Sequence, residues 1–199
     1  NCDFIDYQNE KTRFMFNLAA GGGAIILQKN CNENSVLEAD ILTDGSFSED
    51  VVVPVGGTKN PLTPELLAQG AYRLDVLDPK GMKVRLEEKS LNNFIKVIRS
   101  SLAKSGYSEQ DIAYIAVLHM KKSAHDYVLK TLGLSSEQSI YLEHYGHIGQ
   151  IDQILSLQLA LEQNKIQQGD IVTLVSAGIG YAWGAITIKW GKEERDGTN

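Results

Sequence analysis

The 199-residue sequence predicts an α/β domain, a mixed five-stranded sheet with helices on both faces. The main observation is in the second half, where short apolar runs of strand length alternate with helix-length amphipathic runs. Strand, helix, strand, helix, strand at such lengths implies parallel strands joined by right-handed crossovers. The second observation is compositional. With 43% hydrophobic and 22% charged residues, the chain matches an ordinary globular domain and excludes disorder or low complexity.

In order along the chain, Phe14 to Leu27 reads as strand, glycine break (Gly21-Gly22-Gly23) and strand, and Ser35 to Thr43 as a further strand with alternating Leu37, Ala39 and Ile41. Asp44 to Lys83 holds all four prolines and five glycines, and reads as one long loop of the kind that often carries function. Leu91, Phe94, Ile95, Ile98 and Leu102 then mark one apolar helix face that ends before Gly106. Ala113–Leu118 is too short and too uniformly apolar for a surface helix and reads as a buried strand. A helix over Ser123–Leu132, a strand over Ser139–Tyr145, a helix over Ile148–Gln163 and a strand over Ile171–Ser176 follow. The last strand, Ala182–Trp190, is expected antiparallel to its neighbour.

The helix over Ile148–Gln163 is too apolar for its place. Ile151, Ile154, Leu155, Leu157, Leu159 and Leu161 occupy more than half of its circumference, whereas a helix lying on a sheet needs a stripe of ~100°. It is built to be covered on two sides.

A net charge of −6 argues against nucleic acid and anionic membranes as partners. No apolar run reaches the ~18 residues of a membrane span and no secretory signal opens the chain, so a cytoplasmic protein is expected. Cys2 and Cys31 make neither a disulfide framework nor a zinc site. Four histidines (119, 125, 144, 147) fall close together, but without a His-Glu-x-x-His pattern or a placed third ligand no metal is expected. The glycine run near residue 20 has no Lys-Ser/Thr ending, so it is not a phosphate loop.

Three positions can carry chemistry. His119 follows the buried strand directly, and ligands in open α/β sheets gather at carboxyl ends of parallel strands. A histidine packed at a strand end is the plainer reading of that position. In Tyr145-Gly146-His147-Ile148-Gly149, two glycines let the backbone approach a neighbour closely, and the adjoining helix N-terminus favours a neutral imidazole, which is expected to donate a hydrogen bond to a developing oxyanion. An incidental histidine in a tight turn explains it equally well. Gly178-Ile179-Gly180 offers free backbone N–H groups of the kind an oxyanion hole uses, although glycine-rich hairpins are common.

Taken together these residues resemble the C-terminal half of thiolase-fold condensing enzymes, specifically the β-ketoacyl-ACP synthase III family. The resemblance runs from about Phe14 to Trp190. It rests on the strand ending in His119-Met120-Lys121-Lys122, where the family has His-Gln-Ala-Asn, and on the Tyr145-Gly146-His147 turn, where it has Tyr-Gly-Asn. Gln167-Gln168-Gly169-Asp170 stands for Lys-Pro-Gly-Asp, and Gly178 to Gly184 for Gly-Gly-Gly-Phe-Thr-Trp-Gly. The resemblance implies a thiolase-like half as the fold. It implies an acyltransferase that joins an acyl group from acyl-CoA, held on a cysteine, to malonyl-ACP by decarboxylative Claisen condensation, with no cofactor. His119 would polarise the malonyl thioester carbonyl, His147 would stand at the family's asparagine, and the N–H of Ile179 would complete the oxyanion hole. Lys122, Ala177 and Gly178 would lie along substrate and pantetheine, with Lys122 and Ala177 replacing the family's Asn and Phe, and Arg85 would replace an acyl-pocket Phe.

The family's nucleophilic cysteine belongs to an N-terminal half. Cys2 and Cys31 both lack the strand-to-helix elbow that such a thiol needs, so residues 1–199 are expected to be the C-terminal domain alone. The expected partners are acyl-carrier protein, a CoA thioester, the N-terminal half, and a second copy as a homodimer. The alternative is a degenerate thiolase-like subunit that supports an active partner without doing chemistry.

Overall fold

The computed structural model describes residues 4–192. Among these residues six strands form two sheets: β1 (Glu33–Thr43), β2 (Val51–Val52), β3 (Asp75–Val76), β4 (Ile112–Val117), β5 (Ile171–Gly178) and β6 (Ala182–Lys192). The main sheet has the order β1-β6-β5-β4, and β2 and β3 make a separate ribbon. β4 and β5 run parallel, with Ile115 opposite Thr173, while β5–β6 and β6–β1 are antiparallel. Thus the sheet is mixed, as the sequence predicts, and the last strand turns back on β5.

Four helices accompany it: α1 (Pro64–Ala68), α2 (Pro79–Lys104), α3 (Lys122–Thr131) and α4 (Ile151–Glu162). On one face Phe94, Ile98 and Leu102 of α2 and Val128 of α3 pack on Ile115, Val117, Val175 and Trp183. On the other, Ala160 of α4 joins Tyr114, Ala116, Val172 and Ile188. Burial of such side chains is worth ~1.5–3 kcal/mol each and fixes both helix layers to the sheet.

Three expectations are corrected. The main sheet has four strands because Ser139–Tyr145, though extended at its start, does not pair with β4. Side chains occupy the edge of β4 instead: Gln138 Nε2 donates to the carbonyl of Ile112 (2.7 Å) and Ser139 Oγ to that of Ile115 (2.8 Å). Phe14–Leu27 forms no strands. A 3-10 turn at Glu10–Met15 is followed by extended chain whose one backbone pairing is a bridge from Leu18 to His147. This chain runs over α4, and a Cβ at Gly21 would lie 2.8 Å from Ile148 Cγ2, one at Gly23 3.2 Å from Ile154 Cδ1. Finally, the loop expected over Asp44–Lys83 contains α1, the β2–β3 ribbon and the start of α2. Pro79 sits in the first turn of α2, and the Asp78 side chain accepts from Gly81 N (3.0 Å). Proline there begins a helix and breaks nothing.

α4 is inverted relative to a simple amphipathic helix. Its buried residues are Asp152, Gln153, Ser156 and Ala160, with Leu157 packed beside them, whereas Ile151, Ile154, Leu155 and Leu159 are only partly covered and Leu161 is exposed. The inward polar groups are all bonded: Gln153 Nε2 donates to the carbonyl of Val175 (2.8 Å) and Ser156 Oγ meets the hydroxyl of Tyr114 (2.7 Å). Burial pushes the Tyr114 hydroxyl up to about 12.

Candidate active site

The carboxyl ends of β4 and β5 and the loop before α4 meet at one edge of the sheet. His119 follows β4 after Leu118, whose N–H still pairs with the carbonyl of Val175 (3.0 Å). His147 lies in the loop before α4, where its backbone N–H and carbonyl bond Asn17 O and Ala19 N (2.9 and 2.8 Å). Gly146 takes φ +71°, and a Cβ there would sit 2.7 Å from Asn17 O. The glycine expected to allow a close backbone approach does so, and its neighbour is the incoming segment 17–19.

Asp152 joins the two histidines. It is fully buried in the first turn of α4, and its Oδ2 accepts from both the backbone N–H of His119 (2.7 Å) and Nδ1 of His147 (2.6 Å). Its Oδ1 accepts from Ile148 N (2.7 Å). Two backbone N–H groups, of His119 and Ile148, point at this carboxylate, and an ionised carboxylate only accepts, so the hydrogen shared with His147 is the one on Nδ1. A neutral His147 then presents a bare Nε2. In that tautomer the ring N–H faces Asp152, and Nε2 carries no hydrogen to offer an oxyanion. Asp152 itself escaped the sequence reading. Its signal was an acid in the first turn of an otherwise apolar helix, directly after a Gly-His turn.

His119 is half-buried, with its ring 5.0 Å from that of Tyr141 and its Nδ1 buried without a hydrogen-bond partner. Burial holds its pKa below the usual histidine value, with the charge of Asp152 opposing and that of His147 adding to the shift. It is therefore a neutral imidazole near pH 7.

A cleft of about 370 Å³ opens beside these groups, lined by His147, Gly149, Gln150 and Ser176 to Ile179 on one side and by Phe4, Met15, Leu18, Val53 and Leu74 on the other. That volume falls in the range of small-molecule sites. The N–H of Ile179 makes no hydrogen bond among the described residues, and its side chain is exposed. His147, Ala177, Gly178 and Ile179 are thus brought together at the cleft, with His119 linked to them through Asp152.

Lys122 and Arg85 are placed elsewhere. Lys122 begins α3, pairs with Asp126 and lies over the ring of Tyr141, outside the cleft lining. Arg85 on α2 pairs with buried Asp50 and covers Phe47, which ties the loop before β2 to the helix. Cys31 is free and exposed, lining a separate groove with Ile25, Leu27, Leu174, Ile186 and Ile188; Cys2 lies outside the described residues.

With this geometry in place, comparison with known proteins is direct. Residues 102–190 match the family model for the C terminus of 3-oxoacyl-[acyl-carrier-protein] synthase III. The β-ketoacyl-[acyl-carrier-protein] synthase III of Symbiobacterium thermophilum is 28% identical over 191 residues, 94% of this chain and 55% of that enzyme. The synthase of Syntrophomonas wolfei is 28% identical over 197 residues, 96% of this chain and 56% of its own. In fold, the 3-oxoacyl-(acyl carrier protein) synthase III of Pseudomonas aeruginosa superposes with a TM-score of 0.67 at 17% identity, over 83% of this chain and 49% of that one. The fold is that of half a thiolase-like condensing enzyme. In sequence the chain is similar to the C-terminal half of β-ketoacyl-[acyl-carrier-protein] synthase III enzymes, and it spans about half the length of the curated relatives it matches.

Proposed function

We propose that this chain is the carbanion-forming half of a β-ketoacyl-ACP synthase III-like acyltransferase. The observation that supports this reading is the convergence of His119, His147 and the free N–H of Ile179 at the carboxyl ends of β4 and β5, beside a cleft of ligand size. In the proposed reaction a malonyl thioester, delivered on acyl-carrier protein, loses carbon dioxide, and the resulting enolate oxygen is held by neutral His119 and by Ile179 N–H. Each such donor is worth about 10²–10³-fold in rate. The carbanion then attacks an acyl group, taken from a CoA thioester, on a cysteine. Cys31 is far from this role in its own groove, so the thiol is assigned to an N-terminal half of the same enzyme. The reaction itself needs no cofactor.

The surface left by α4 supports that partnership. Ile151, Ile154, Leu155 and Leu159 of α4 are only partly covered and Leu161 is 40% exposed, which leaves an apolar helix face. The N-terminal half is the proposed occupant, and a second copy of this chain is its substitute when that half is missing.

The test is a pair of substitutions in enzyme assembled with a nucleophilic half. His119→Ala is expected to slow condensation by about 10²–10³-fold while acylation of the cysteine persists. His147→Asn is expected to be much milder, because the resemblance places asparagine there. Equal losses in both would mean that the histidines are structural, and would favour the non-catalytic partner subunit.

A further inference from the structure

The pairing of His147 with Asp152 points beyond a site that only holds an enolate. Decarboxylation needs donors at the carbonyl oxygen and no base, because the electron pair is left behind by departing carbon dioxide. Here a buried carboxylate holds the hydrogen of His147 on Nδ1, and Nε2 of the same ring has no hydrogen-bond partner among the described residues. The ring lines the cleft and its side chain is 24% exposed, so whatever enters meets a nitrogen with a lone pair. Asparagine cannot accept a proton at this position; this imidazole can. The cleft also contains no lysine or arginine among its lining residues, and one wall is made of Phe4, Met15, Leu18, Val53 and Leu74. It suits an uncharged acyl chain as readily as a carboxylated one.

We infer that the site has a further activity, removal of an α-proton from an acyl thioester that bears no carboxylate, with His147 as the base and Asp152 as the residue that positions it. This rests on the thioester-site reading above. The step is balanced within the site. The α-carbon–hydrogen bond breaks, its electron pair forms the enolate double bond, the carbonyl π pair moves to oxygen, and the proton goes to Nε2. The imidazolium so formed is stabilised by Asp152 at 2.6 Å, and its new N–H can donate to the enolate oxygen. The reverse step returns a proton to carbon, so the net result without an acceptor is exchange of the α-hydrogens with solvent.

The experiment uses the chain as it stands, with acetyl-CoA in deuterium oxide and the acetyl methyl signal followed by NMR. A ¹⁵N spectrum of the His147 ring reports the tautomer independently of any ligand. The expected results are a hydrogen on Nδ1, and exchange about 10²-fold or more above buffer, lost on His147→Asn. Asp152→Asn should lower exchange and move the hydrogen toward Nε2, because an amide N–H facing Nδ1 favours the other tautomer. Should that variant fail to fold, the wild-type tautomer and His147→Asn still decide. A hydrogen on Nε2 in the wild type overturns the inference. So does acetyl-CoA that binds, shifting the Ile179 amide, without exchanging. Absence of any binding at millimolar acetyl-CoA overturns the thioester reading itself, and this activity with it.

Discussion

His119 and His147, 28 residues apart in sequence, are tied to one atom: Oδ2 of Asp152 accepts the backbone N–H of the first and the ring N–H of the second. The two bonds do different things. The first fixes where the chain leaves β4 and therefore where the His119 ring begins; the second orients the His147 ring and sets its tautomer. Because Asp152 is completely buried and also accepts from Ile148 N, the start of α4 and the end of β4 are held as one unit. A site assembled from two strand ends and a helix start keeps its geometry only if something spans all three.

The first prediction concerns His125, buried in α3 with its Nδ1 lacking a partner and its ring edge-on to Tyr141 at 5.4 Å. Burial, aided by Lys122, lowers its pKa to about 4 from 6.5. The folded state therefore refuses a proton that the unfolded chain accepts between those values. Stability is full above pH 6.5 and falls as the pH drops toward 4, by roughly 2–3 kcal/mol from this group. Urea denaturation at a series of pH values should show that loss, and His125→Phe should flatten it. An equally steep loss in the variant would place the effect elsewhere.

A second prediction follows from the position of Cys31. Exposed in a groove that shares no lining residue with the cleft holding His147, it has Lys29 and Glu33 along the same groove but no histidine among the groove's lining residues. Incubation of the chain with acyl-CoA should leave no stable acyl adduct by intact mass spectrometry, and no condensation product. A thioester on Cys31 that turns over with a malonyl thioester would contradict the assignment of the nucleophile to another segment.

How far the sequence went depended on what set each element. Alternation in β1 and β6 and the apolar run of β4 are read directly from side-chain period, because burial dictates both. His119 and Gly178-Ile179 are likewise legible as residues at the carboxyl ends of parallel strands, and they lie at the ends of β4 and β5. What escaped was set by single side chains acting at a distance. Gln138 and Ser139 cap the edge of β4 and cancel a strand, Asp78 and Pro79 start α2 inside what reads as loop, and Asp152 reverses the hydrogen-bonding sense of His147. No periodicity records such bonds.

The excess apolarity of α4, by contrast, was legible and survives in the structure as an outward face, only partly covered by residues 19–23. The third prediction is that the isolated chain self-associates through that face. Sedimentation at micromolar concentration should give a dimer, and Leu161→Glu should give a monomer of unchanged melting temperature, since this side chain is exposed. A wild-type monomer under the same conditions would show that the apolar face of α4 is tolerated uncovered.

The fourth and most direct test is to give the chain malonyl-CoA and measure acetyl-CoA formation by chromatography. In the proposed reaction this step uses His119 and Ile179 N–H but no cysteine: the bond to the carboxylate breaks, carbon dioxide leaves, and the carbanion takes a proton from solvent. The predicted result is decarboxylation well above the buffer rate, reduced about 10²–10³-fold in His119→Ala. Acetyl-CoA formed no faster than in buffer, or equally fast with and without His119, would contradict a carbanion-forming role for this chain.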